Sequence, residues 1–124
     1  MSISELIGKT LTKVENIEDE QIVFTTTDES EYMLHHSQDC CEMVTVNDIC
    51  GDLDDLINSP ILKAEERTNS EENPEGVDLK ELEYQESFTW TFYELATIKG
   101  SVNIRWYGES NGHYSESVDF CKSK

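Results

Sequence analysis

The run Ser87-Phe88-Thr89-Trp90-Thr91-Phe92-Tyr93-Glu94-Leu95-Ala96-Thr97-Ile98, read together with residues 102–108 and 114–121, decides the fold. All three stretches are rich in aromatic and β-branched residues and are joined by Gly-containing turns, the pattern of adjacent antiparallel strands. Loop length sets which side chains share a face. Three-residue loops with Gly last, Ile98-Lys99-Gly100 and Ser110-Asn111-Gly112, would put each glycine in the left-handed position. In that register Ala96 faces Val102, Glu94 faces Ile104 and Phe92 faces Trp106, while Val118 and Phe120 lie across from Ile104 and Val102. Phe88, Trp90, Phe92, Val102, Ile104, Trp106, Val118 and Phe120 then form one core face. Shorter loops would turn part of this set outward. The expectation is a C-terminal three-stranded meander.

The opposite face in this register carries Tyr93, Asn103, Arg105, Tyr107, Ser115, Ser117 and Asp119. It reads in two ways. One is a solvated face with Arg105 paired to Asp119 or Glu116. The other is a ligand platform, where tyrosines stack a ring and Arg105 grips a phosphate or carboxylate with two hydrogen bonds. Lys99, in the adjoining turn, would add a second cation.

Outward from this region, residues 11–17 and 21–27 are β-branched runs around the acidic turn Glu18-Asp19-Glu20, which predicts a hairpin. Residues 30–36 and 43–49 read as further strands. Asp52 caps a helix of one to two turns in which Leu53, Leu56 and Ile57 form the apolar stripe, and Asn58-Ser59-Pro60 ends it. Residues 61–66 re-enter the sheet. Residues 68–86, acidic and punctuated by Pro74 and Gly76, predict a mobile loop with a helical turn at 78–84. The expected class is α+β, a mainly antiparallel sheet with one or two short helices, in a single domain over 1–124.

Charge restricts the partners. Against 27 Asp+Glu stand 9 Lys+Arg, a net charge of −18 on 124 residues. Such a field repels phosphate backbones and anionic lipid, so neither nucleic acid nor membrane is an expected partner. No apolar run approaches the roughly 20 residues of a membrane span. The N-terminus lacks the basic and apolar regions of a secretory signal, so the cytoplasm is the expected compartment. Cys40 and Cys41 are adjacent while Cys50 and Cys121 lie far apart, so free, mostly buried thiols are expected rather than a disulfide framework.

The densest reactive cluster is His35-His36-Ser37-Gln38-Asp39-Cys40-Cys41-Glu42. It holds zinc-type ligands but no zinc spacing, so no metal is expected. Catalysis through His36 and Cys40 has the residue types but neither a nucleophile elbow nor an oxyanion hole, so no enzyme and no cofactor are expected. Gly-rich phosphate loops and calcium loops are absent from the sequence.

Two sets of stretches carry a resemblance. They are His36-Ser37-Gln38-Asp39-Cys40-Cys41-Glu42 with Asn47-Asp48-Ile49-Cys50-Gly51-Asp52-Leu53-Asp54-Asp55-Leu56, and the tail through Thr89-Trp90-Thr91-Phe92-Tyr93, Ala96-Thr97-Ile98-Lys99-Gly100 and Ile104-Arg105-Trp106-Tyr107-Gly108-Glu109-Ser110-Asn111-Gly112. Together the chain resembles a family of small phage- and prophage-encoded proteins of unknown function. The resemblance implies a counter-defence protein working in the host bacterial cytoplasm. The leading expectation is an inhibitor that blocks a basic host defence protein with an acidic surface imitating DNA, through Asp52, Asp54, Asp55, Glu71, Glu72, Glu75, Glu81 and Glu83. The alternative is a sponge for a nucleotide immune signal such as a cyclic ADP-ribose variant, through Tyr93, Lys99, Asn103, Arg105 and Tyr107. A homodimer is compatible with either.

Overall fold

A computed structural model describes residues 2–38, 42–70, 87–110 and 115–123. Its strands are β1 (Leu11–Ile17), β2 (Gln21–Thr26), β3 (Glu31–His35), β4 (Met43–Cys50), β5 (Lys63–Ser70), β6 (Ser87–Thr97), β7 (Gly100–Ser110) and β8 (Asp119–Lys122). They form two four-stranded antiparallel sheets, ordered β1-β2-β3-β8 and β4-β7-β6-β5. The fold is therefore mostly antiparallel β. The helical part of the α+β expectation is corrected: the described residues contain two short 3-10 helices, Ile3–Leu6 and Leu53–Leu56, and no α-helix.

One core lies between the sheets. Ile22, Phe24, Tyr32, Leu34 and Phe120 of the first sheet meet Val46, Tyr93, Leu95, Val102, Ile104 and Trp106 of the second. Ile3, Leu6, Leu56 and Ile61, from the 3-10 helices and their flanks, belong to the same cluster. Alternation explains the first sheet: the even residues of β2 and β3 are buried and the odd ones only partly so.

The C-terminal meander is corrected twice. First, Thr97 pairs with Gly100, so the β6–β7 loop is the two-residue Ile98-Lys99. Leu95 then faces Val102, Tyr93 faces Ile104 and Thr91 faces Trp106, one residue away from the expected register. Thr97 pins this turn: its hydroxyl accepts from the Lys99 amide at 3.2 Å and donates to the Asp55 carbonyl at 2.5 Å. The β7 half of the expected core stands, with Val102, Ile104 and Trp106 fully buried. On β6 the slip sends Tyr93 and Leu95 inward and sends Phe88, Trp90 and Phe92 to the outer face.

Second, β8 pairs with β3 instead of β7, setting Phe120 opposite Leu34. Val118 and Phe120 are buried as expected, but in the other sheet. The chain crosses between sheets over Gly108, where an added Cβ would come within 2.7 Å of the Glu116 carbonyl. Only a glycine admits that approach. The acidic segment begins later than expected, because residues 68–70 are the end of β5; residues 71–86, with the expected helical turn, lie outside the described residues.

Candidate functional site

The outer face of the second sheet gathers what the slipped register turned outward. Arg105 on β7 and Arg67 on β5 both pair directly with Phe92 on β6, and Asp48 on β4 pairs with Arg105. The order Asp48, Arg105, Phe92, Arg67 is thus a row running straight across four strands. Side chains opposite one another in such a row have Cβ atoms about 5 Å apart. Neighbouring rows place Cys50, Asn103, Glu94 and Glu65 on one side, and Tyr107, Trp90 and Asn69 on the other.

Both guanidiniums lie over aromatic rings. Arg67 lies over the Phe92 ring at 5.1 Å, and Arg105 lies over the Trp90 ring at 5.2 Å. Arg105 also donates from Nε to Asn47 Oδ1 at 2.9 Å. Trp90 is fully buried on this outer side, with Tyr107 at 4.6 Å between ring centroids. Tyr107 in turn donates its hydroxyl to Glu109 at 3.0 Å and packs on Phe88.

Two adjoining depressions meet at Phe92. One, of about 330 Å³, is lined by Glu65, Glu66, Arg67, Phe92, Glu94 and Asn103. The other, of about 290 Å³, is lined by Asp48, Cys50, Arg67, Phe92, Asn103 and Arg105. The carboxylates on the rim are partly neutralised. Lys63 donates to Glu94 at 2.9 Å and lies 3.6 Å from Glu65, and the hydrogen bond to Glu94 is the main reason its ammonium is held more basic than usual. Glu66 is raised above the ordinary carboxylate range by burial first and by Asp119 second.

The two arginines differ from Lys13 and Lys63 in one respect. Lys13 and Lys63 form carboxylate pairs, whereas among the described residues neither Arg67 nor Arg105 does. They are the only arginines in the chain. The expected pairing of Arg105 with Asp119 or Glu116 is corrected: Asp119 lies in the other sheet, and Glu116 accepts from Thr89 and Ser110.

Of the expected platform residues, Asn103, Arg105 and Tyr107 stand together on this face. Tyr93 is fully buried on the inner side, where burial and then Glu66 and Asp119 push its hydroxyl well above the usual phenol range. Lys99 sits in the β6–β7 turn and donates to the Ile57 carbonyl at 2.6 Å. Ser115 and Ser117 lie on the crossing segment, off the sheet. Arg67, Trp90 and Phe92 were not expected here. The usable signal was the aromatic run itself, apolar at both odd and even positions of β6, and the count of two arginines.

Among the expected acidic contacts, Asp52 accepts from the Asp54 amide at 2.9 Å as a helix cap, and the Asp55 carbonyl anchors Thr97. Asp54 is exposed. Glu71, Glu72, Glu75, Glu81 and Glu83 lie outside the described residues. In the histidine cluster, His36 Nδ1 donates to the Ser117 carbonyl at 2.7 Å, and Nε2 lies 3.4 Å from Glu42, with both side chains buried. His35 contacts the Cys121 thiol at 3.5 Å. Asp39, Cys40 and Cys41 lie outside the described residues, and among those described no group of three ligands could hold a metal. Cys50 and Cys121 are free thiols, Cys50 being exposed where a buried one was expected. No described helix is long and apolar enough to cross a membrane.

Comparison with known proteins gives a family and no activity. A family model for a domain of unknown function (DUF7448) matches residues 4–120, and the chain belongs to that family. No curated protein and no solved structure matches it.

Proposed function

We propose that this DUF7448 member is a binding protein that acts without catalysis, capturing a small anionic, ring-bearing ligand on the outer face of its second sheet. One observation carries the reading: the only two arginines in the chain flank Phe92 in one cross-strand row, unpaired with any carboxylate among the described residues. A cation–ring contact holds each guanidinium in place and leaves terminal N–H donors for an anion. The biological setting we propose follows the resemblance to phage-borne proteins: counter-defence in the bacterial cytoplasm, with a nucleotide immune signal as the captured ligand.

An NMR titration with adenosine nucleotides tests this. Shifts should cluster on residues 90–94 and 103–107 and disappear in Arg105→Ala, and the nucleotide should be recovered unaltered by mass spectrometry. Hydrolysis or ring cleavage of the nucleotide would refute a role without catalysis.

The acidic inhibitor is the second reading, favoured by the net charge of −18. Under it, a basic effector protein should bind with affinity that falls steeply with salt, and Arg105→Ala should leave that binding intact. Asp52 is a less persuasive contact for it, since its carboxylate caps the 3-10 helix.

A further inference from the structure

We infer that Cys121 is a reactive thiol with His35 as its proton acceptor, and that it exchanges with small neutral or cationic disulfides to form a reversible mixed disulfide. The site lies at the β8 end of the first sheet's outer face, away from the β1 edge, and does not depend on the platform reading. Strand register builds it. Phe120 enters the core, so its neighbours Asp119 and Cys121 point to the other face of β8. There Asp119 stands directly opposite His35, and Cys121 stands opposite Met33, two residues away on β3. On the diagonal, Cys121 Sγ lies 3.5 Å from His35 Nε2, within hydrogen-bond reach of a thiol. Side chains directly opposite one another have Cβ atoms about 5 Å apart, which brings the Asp119 carboxylate to the same imidazole. The sulfur can be reached, because β8 is the last strand of its sheet and Cys121 is partly exposed.

Thiolate, and not thiol, is the nucleophile in sulfur exchange, so a base in contact with the S–H makes a cysteine reactive. Cys121 passes its proton to His35 Nε2, and the imidazolium that results stands beside a carboxylate of opposite charge. The thiolate attacks one sulfur of the disulfide, forming a new S–S bond as the old one breaks. The departing thiolate takes the proton back from His35. Cys121 is thereby oxidised and the departing sulfur reduced. No carbonyl is attacked, so the step needs no oxyanion hole. The net charge of −18 repels anionic disulfides, which leaves neutral and cationic ones as the fitting class.

Cystamine, a cationic disulfide, tests this on the reduced full chain at neutral pH. Peptide mass spectrometry times the appearance of the adduct on Cys121 and on Cys50, an exposed thiol of the other sheet that serves as the internal control. His35→Gln should slow the reaction of Cys121 about tenfold and leave that of Cys50 unchanged. His35→Ala separates a base from a shield. Removing a ring that merely covers the sulfur would speed the reaction, whereas removing its proton acceptor slows it. Dithiothreitol should release the adduct and return the free thiol. Circular dichroism of each variant establishes that it is folded. If Cys121 stays unmodified in the folded wild type, or reacts as fast or faster in a folded His35 variant, the inference fails.

Discussion

The outer faces of the two sheets put the same alternating backbone to opposite uses. On the first sheet the outward residues of β1 include Lys13 and Glu15, which pair at 2.6 Å, and their hydrogen bond is the main cause of the raised lysine basicity. That is an ordinary solvated face, where such exposed pairs contribute little. On the second sheet the outward face buries Trp90 completely, half-buries Phe92 and leaves two arginines without carboxylate partners among the described residues. Solubility requires none of this. The contrast shows that the position of the few cations is more informative than the excess of acid.

The largest effect that could break the comparison comes from the core the sheets share. Trp106→Ala should cost about 3–5 kcal/mol in denaturant unfolding, because the ring is fully buried between the sheets. Phe92→Ala, half-buried on the outer face, should cost only about 1 kcal/mol. Equal losses would mean that the outer face is a second core and not a platform.

Next comes the seam between the sheets. His36, just after β3, binds the carbonyl of Ser117 and faces Glu42, which precedes β4. His36→Ala removes a buried ring and its hydrogen bond to the Ser117 carbonyl and should destabilise by about 2 kcal/mol. A change within about 0.5 kcal/mol would show that the sheets are held by apolar packing alone.

A smaller effect of opposite sign is expected at Tyr93. Among the described residues its buried hydroxyl has no hydrogen-bond partner, so Tyr93→Phe should be neutral or stabilising by about 1 kcal/mol. A thermal melt showing a clear loss instead would mean that the hydroxyl has a partner in solution.

The smallest effect lies in the β2–β3 turn of the first sheet. The Thr26 hydroxyl, followed by the backbone and side chain of Ser30, holds the Asp28 carboxyl down at about 2, against an ordinary 3.8. A lowered value in the folded state contributes stability above pH 3.8, and that stability is lost as pH falls towards 2. The stability gap between wild type and Asp28→Ala should therefore close over that interval in acid titrations. A gap constant down to pH 2 would contradict it.

How much of this was legible in the sequence differs by element. Strands β1 to β4 were readable because β-branched and aromatic runs alternate between clear turns. The β6 register was not readable. Phe88, Trp90 and Phe92 make as good an apolar face as Tyr93 and Leu95, so the rule that the apolar set points inward had two solutions. The wrong one hid Trp90 and Phe92 in the core and placed Tyr93 on the platform.

By itself the sequence determined an acidic, mostly antiparallel β domain, the burial of Val102, Ile104, Trp106, Val118 and Phe120, and the presence of Asn103, Arg105 and Tyr107 on one surface. Periodicity and composition are local properties, and they suffice for those statements. Only the tertiary structure decided that β8 leaves for the first sheet, that the β6–β7 loop has two residues, and that Arg67 comes to stand across Phe92 from Arg105. Strand partnership depends on which open edge is within reach and where the chain can cross, here over Gly108. Arg67 and Arg105 are 38 residues apart in the chain, so only the pairing of β5, β6 and β7 brings their charges onto one row.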